Sequence, residues 1–323
     1  AVSPQTKSLS GYVLFYKQTE EEKYQKIGIE ASPSTNVAKT IEELKKYTPY
    51  RMVVCPYSEN GNGIPSQPVT VRTNQDFPSV APMILNISSP SSTAVKLSWT
   101  TVNHQYWHGI KQGYCVRYVA RGSTHSVTDN VTNVTQLETV LTNLNHFTRY
   151  YVYVSAKTTP GCGAEASTNF VTLEYVPSEP PQNLNASSMT SAVGIHVTWN
   201  EVRAEARHGI IRGYNVSYED SNGVLKWINV DGADNREVMI TGLKFLHQYK
   251  VKMLAYTSIG DGPESSEILV TTEESTPSMA PELVEAKNTS SSSIYLEWLP
   301  IPDAYHQGTL LGYRVYYRPA ETS

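Results

Sequence analysis

Six asparagines stand two residues ahead of a serine or threonine, the spacing of an N-glycan acceptor: Asn86, Asn130, Asn133, Asn185, Asn215 and Asn288. Among 19 asparagines, chance would place about three or four such sites in a chain this rich in Ser and Thr. Asn215 alternates with the apolar or aromatic Tyr214, Val216 and Tyr218, so it is expected to face solvent. Asn130 and Asn133 fall in a polar stretch read as an inter-strand loop, close enough for one glycan to exclude the other.

Three cysteines supply the sulfur chemistry: Cys55, Cys115 and Cys162. They are too few for a disulfide framework and lack the paired spacing of a zinc site. Cys115 follows Tyr114 on an alternating strand, and Cys162 is the middle of Gly161-Cys162-Gly163. A bridge between them needs Cα atoms within ~7 Å, with a strand in between to be crossed, so a disulfide and two free thiols both stand open. Cys55 has no mate nearby and reads as an isolated thiol, the alternative being a link to another chain.

Histidines 108, 208 and 306 recur at about the same interval and are expected to be loop residues. Ligands about 100 residues apart on separate modules do not converge on one ion. Glu20, Glu21 and Glu22 with Lys23 read as a solvated turn. The chain has no Gly-x-Ser-x-Gly, phosphate-binding loop, His-Glu-x-x-His or dinucleotide fingerprint, and the nearest approach to Arg-Gly-Asp is Arg121-Gly122-Ser123. No catalytic residues, cofactor or metal are expected. The aromatic stretch His104-Gln105-Tyr106-Trp107 is a candidate protein anchor, although Trp107 can equally pack on its own module.

The elements that must carry these residues repeat. GY-x-x-x-Y begins at Gly11, Gly113, Gly213 and Gly312, at intervals of 102, 100 and 99 residues. An alternating strand ends on Trp99, Trp199 and Trp298. A third pattern sets Leu, an apolar residue and Tyr three apart, at Leu44, Tyr47 and Tyr50, at Leu144, Phe147 and Tyr150, and at Leu243, Leu246 and Tyr249. Each such Tyr is followed, at the same offset, by Gly-x-Gly starting at Gly61, Gly161 or Gly260. Proline-containing stretches separate the units at 77–82, 176–181 and 276–281, and are expected to be short, stiff linkers.

Composition agrees with β structure: 22 Tyr stand against 5 Phe, and charged residues make up 17% with a net charge of −4. That balance offers no basic surface for nucleic acid. No apolar run reaches the length of a membrane span, so no membrane insertion is expected within this segment. Alternation at Val95, Leu97 and Trp99, and again at Tyr150, Val152, Val154 and Ala156, gives strands with one dry face. Repeats of about 100 residues built from such strands predict two-sheet sandwiches.

The Trp-ending second strand, the GY-x-x-x-Y third strand, the Leu-to-Tyr corner and the Gly-x-Gly hairpin together resemble the fibronectin type III family. An immunoglobulin domain would carry Cys two residues after the corner Tyr, where this chain has Met52, Val152 and Val251. The resemblance implies an all-β chain of tandem immunoglobulin-like sandwiches in an extended rod, with modules at 1–76, 80–176, 179–274 and 278–323. The first is expected to lack strands A and B, and the last to hold strands A to C only, each leaving an apolar face open.

The function implied is that of protein-binding and spacer modules in an extracellular adhesion or receptor ectodomain, of the neural adhesion, sidekick or receptor tyrosine phosphatase kind. Two alternatives stand beside it: a component of a secreted extracellular matrix, and accessory modules of a protein whose catalytic domain lies elsewhere. The expected partners are extracellular or cell-surface proteins.

Overall fold

The structure, a computed structural model, describes residues 9–32, 36–189 and 193–319. The outermost residues of the first and fourth repeats therefore lie outside the described residues. The chain divides into two compact units, Ala1–Leu144 with Thr148–Thr172, and Asn145–Phe147 with Leu173–Ser323.

In the first unit, the first repeat forms β1 (Gly11–Gln18), β2 (Gln25–Glu30), β3 (Pro49–Ser58), β4 (Gly61–Asn62) and β5 (Val69–Arg72). They make one antiparallel sheet in the order β2-β1-β3-β4, with β5 also on β3. The second repeat follows as β6 (Ile84–Ser91), β7 (Ala94–Trp99), β8 (Lys111–Ala120), β9 (Ser126–Val131), β10 (Glu138–Leu141), β11 (Arg149–Thr158) and β12 (Gly161–Val171). These form a three-stranded sheet, β10-β7-β6, and a four-stranded sheet, β12-β11-β8-β9. Alternation decides the faces: Val95, Leu97 and Trp99 of β7 and Tyr114, Val116, Val152 and Val154 of the other sheet meet in one core. The Trp99 and Tyr114 rings lie 5.4 Å apart.

The second unit repeats the plan with β13 (Gln182–Ser188), β14 (Gly194–Asn200), β15 (Gly213–Asp220), β16 (Leu225–Asp231), β17 (Glu237–Thr241), β18 (Gln248–Tyr256) and β19 (Ile268–Thr271). Its sheets are β13-β14-β17 and β16-β15-β18-β19, closing over Ile195, Val197, Trp199, Tyr214, Val216, Val251 and Met253. The hairpin of β20 (Glu282–Ser290) and β21 (Ser293–Leu299) begins the fourth repeat. The expected third strand of this repeat is not formed. Residues 312–317 carry the GY-x-x-x-Y pattern, but no strand among the described residues pairs with them, and a strand has no ladder without a partner.

The glycine that opens the GY motif in the first three repeats has a steric cause. A Cβ on Gly11, Gly113 or Gly213 would lie 2.3, 1.9 or 2.5 Å from the carbonyl oxygen of Ile29, Val131 or Val230 on the neighbouring strand. Only a residue without a side chain lets the two strands meet there. At the corner, the hydroxyls of Tyr50 and Tyr249 accept the backbone N–H of Lys45 and Lys244 at 2.9 and 3.0 Å, five residues upstream. Tyr150 stacks on Phe170 at 5.6 Å. The middle residue of the pattern turns the chain with positive φ, at 48° for Tyr47, 44° for Phe147 and 48° for Leu246. Phe147 and Leu246 are consequently exposed rather than core.

The stretches read as linkers are bonded into the repeat that follows them. In the first unit, Asp76 N–H donates to the His108 carbonyl (2.8 Å), Ser79 N–H to that of Tyr106 (3.0 Å), and Ile110 N–H to Gln75 Oε1 (2.7 Å). The second unit has the same set from Tyr175 to His208, Ser178 to Ala206 and Ile210 to Glu174. It recurs from Ser275 to Gln307, Ser278 to Tyr305 and Thr309 to Glu274.

His108 and His208 hold left-handed turns at φ 57° and 51°, and the third member of the set is Gln307 at 54°. His306 is thus one position out of the histidine series. It takes the place of Trp107 and Arg207: His306 Nε2, Trp107 Nε1 and Arg207 Nε each donate to a carbonyl five residues upstream, of Ile301, Val102 and Val202. The same bond settles the choice left open for Trp107, which is 2% exposed and packs in its own module.

Candidate modification and binding surface

The six sequon asparagines and the three cysteines lie on strands or just beyond a strand end. Asn86, Asn130, Asn133, Asn185 and Asn288 are exposed, and Asn215 is half-buried. Asn130 is on β9 rather than in a loop, paired with Cys115. Its Oδ1 accepts from Lys157 Nζ at 3.0 Å, whereas Asn133 lies past the strand end with Thr135 donating twice to its Oδ1. The two acceptors therefore have different local structures in spite of their spacing.

Cys115 and Cys162 are joined as a disulfide with Cα atoms 6.2 Å apart. The strand between them carries a bulge at this point: β11 pairs Ser155 with Glu165 and then Lys157 with Cys162, two residues along β11 against three along β12. Beside the bridge, Arg117 spans β11 over the Tyr153 ring, 3.8 Å from its centroid. It donates to both carboxylate oxygens of Glu165 at 3.1 and 2.7 Å. That bond from Glu165 raises the guanidinium pKa above its ordinary value. Cys55, on β3, is buried and unbridged.

Near the linker of the first unit, a cleft of about 690 Å³ is lined by Lys45, Lys46, Arg72, His108 and Lys111, with Glu20 at its rim. Lys46 Nζ lies 2.6 Å from Asp76 Oδ2, and Phe77 N–H donates to Asp76 Oδ1. These bonds hold the Asp76 carboxyl below its usual range. Burial, and then the Lys46 charge, lower the pKa of His108. The Glu20–Glu22 turn is solvent-exposed, and among the described residues no three His, Cys, Asp or Glu side chains cluster as a metal site.

In the third repeat, Trp227 of β16 is 48% exposed. By strand alternation it shares the outer face with Asn229, while Ile228 and Val230 pack against the core. Asn215 lies opposite Asn229, and Ser217 lies opposite Trp227. The sequence signal for this residue was available in the Trp-Ile-Asn-Val alternation. Likewise, the Pro-Ser pair shared by all three linkers marked their bonding serines, Ser79, Ser178 and Ser278.

A family model described as "Fibronectin type III domain" matches residues 80–172 and 179–271. Receptor-type tyrosine-protein phosphatase F of Danio rerio is 31% identical over 96% of this chain and 17% of its own length. Cell adhesion molecule DSCAML1 of Mus musculus is 30% identical over 83% of this chain and 13% of its own. Cell adhesion molecule Dscam2 of Drosophila melanogaster is 29% identical over 97% of this chain and 15% of its own. The chain thus spans about an eighth to a sixth of the length of these curated relatives.

Proposed function

This chain belongs to the fibronectin type III family, and we propose that it is an extracellular segment of a cell-surface adhesion or receptor protein, presenting its sheet faces and hairpins to other cell-surface proteins. The observation that carries this reading is the run of similarity over 96% and 97% of the chain with a receptor phosphatase and an adhesion molecule. Similarity of that reach covers the junctions as well as single modules. The domain limits proposed are 1–76, 80–176, 179–274 and 278–323.

Secretory residence is part of the proposal, with N-glycans at some of the six sequons and the Cys115–Cys162 bridge formed in an oxidising compartment. The segment itself is proposed to have no catalytic role. Its buried residues are almost all apolar or aromatic, and the few buried polar ones are Ser and Thr. Any phosphatase activity of a parent protein would belong to another part of that protein.

The test is binding. The chain, secreted from animal cells and clustered on fluorescent beads, is expected to bind intact cells saturably, with competition by the soluble chain and loss after protease treatment of the cell surface. Absence of saturable binding across a panel of neural and epithelial cells would overturn the binding role.

A further inference from the structure

We propose that Asn215 carries an N-glycan whose first sugar lies on the indole of Trp227 and shields it. The inference rests on the secretory reading above and adds to it a named site and an intramolecular occupant for the exposed tryptophan.

Three observations meet at this place. The first is register: Asn215 pairs with Asn229 and Ser217 with Trp227, so the sequon's first and third residues flank the indole on one sheet face. Asn215 and Trp227 are diagonal neighbours, ~7 to 8 Å apart in such a ladder, which an aromatic side chain reaches across. The second is the amide's own bonding. Asn229 Nδ2 donates to Asn215 Oδ1 at 2.8 Å and also to the Tyr256 hydroxyl, which in turn donates to Asp231. The oxygen of the Asn215 side chain is thereby held, while among the described residues no partner takes its Nδ2, the atom that bears a glycan.

The third is the tryptophan. Trp99, Trp107 and Trp199 are 1 to 3% exposed, against 48% for Trp227. A large aromatic left in water beside Leu225, 53% exposed, is an apolar surface without a partner in the fold. N-acetylglucosamine presents one face of axial C–H groups, which suits the electron-rich face of an indole. No other sequon has this arrangement: Asn86, Asn130, Asn185 and Asn288 pair with Ser98, Cys115, Thr198 and Ile294, and Asn133 is outside the strands. Ser217 is 3% exposed once folded, so modification must precede folding, as it does when glycan is added to a chain entering the secretory pathway.

The experiment uses the whole chain secreted from animal cells, with glycopeptide mass spectrometry for occupancy and hydroxyl-radical footprinting for oxidation of Trp227. Wild type is compared with N215Q and with S217A, which removes the sequon but leaves Asn215 and its bond to Asn229. Occupancy at Asn215 is expected, with Trp227 oxidation rising about twofold in both variants, as one of the two indole faces passes from sugar to water. Glycan at other sequons but none at Asn215 would overturn this inference alone. So would an occupied Asn215 with Trp227 oxidised equally in wild type and S217A. All six sequons empty would overturn the secretory reading and this inference with it.

Discussion

Replacing Gly113 with alanine is expected to destabilise the second repeat selectively. The residue sits at φ 107°, and an added Cβ would be 1.9 Å from the Val131 carbonyl oxygen and 3.0 Å from the backbone carbon of Thr132. The conformation alone costs a side-chain-bearing residue about 1–3 kcal/mol. The contact is worse, because the end of β9 must retreat by more than an ångström, losing one or two ladder bonds at about 1 kcal/mol each. The sum is about 2–5 kcal/mol, against a stability of about 5–15 kcal/mol for a typical domain.

Gly122 is the control: its φ is 81°, yet nothing lies within 4 Å of its Cβ position, so G122A should show the conformational cost alone. Hydrogen exchange in increasing urea, read peptide by peptide, resolves each repeat within the intact chain and makes the third repeat an internal reference. G113A should lower the midpoint of peptides from β7, β8 and β11 far more than G122A, and leave those from β14 and β18 unchanged. Equal small effects of the two substitutions would refute the close-approach explanation of the GY motif.

Y249F removes the acceptor for the Lys244 N–H, with an expected loss of about 1–2 kcal/mol confined to the third repeat, read by the same exchange experiment. The Cys115–Cys162 bridge closes a sequence separation of 47 residues. Its loss in a C115A/C162A variant should destabilise the second repeat by about 2–4 kcal/mol in chemical unfolding. His108 has a folded pKa below its ordinary value, so its contribution is whole above about pH 6.5 and is lost as pH falls toward the folded value. Exchange at the 75–79 linker, corrected for intrinsic rate, should quicken between pH 7 and 5. H108N, whose Asn tolerates the left-handed turn, should lessen that dependence.

The sandwich plan was legible because two periodicities coincide: side chains alternate along strands such as β7, and whole-repeat markers recur every 99 to 102 residues. The corner tyrosines were legible for the same reason. What the sequence hid was cooperative geometry. The bulge next to Cys162, beside the bridge to Cys115, depends on backbone register rather than on residue type. Residue type left Trp107 equally a surface anchor or a packed side chain, and the bond from its indole N–H to the Val102 carbonyl decides for packing. Strand-like residues at 312–317 illustrate the converse: pattern permits a strand, and only a partner makes one.

The proposed function requires that these modules lie outside the cell. It is tested most directly by an antibody against this chain applied to intact cells that express the parent protein. Staining without permeabilisation is expected, on the surface or in the surrounding matrix, and removed by extracellular protease. Staining that appears only after the membrane is opened would contradict it.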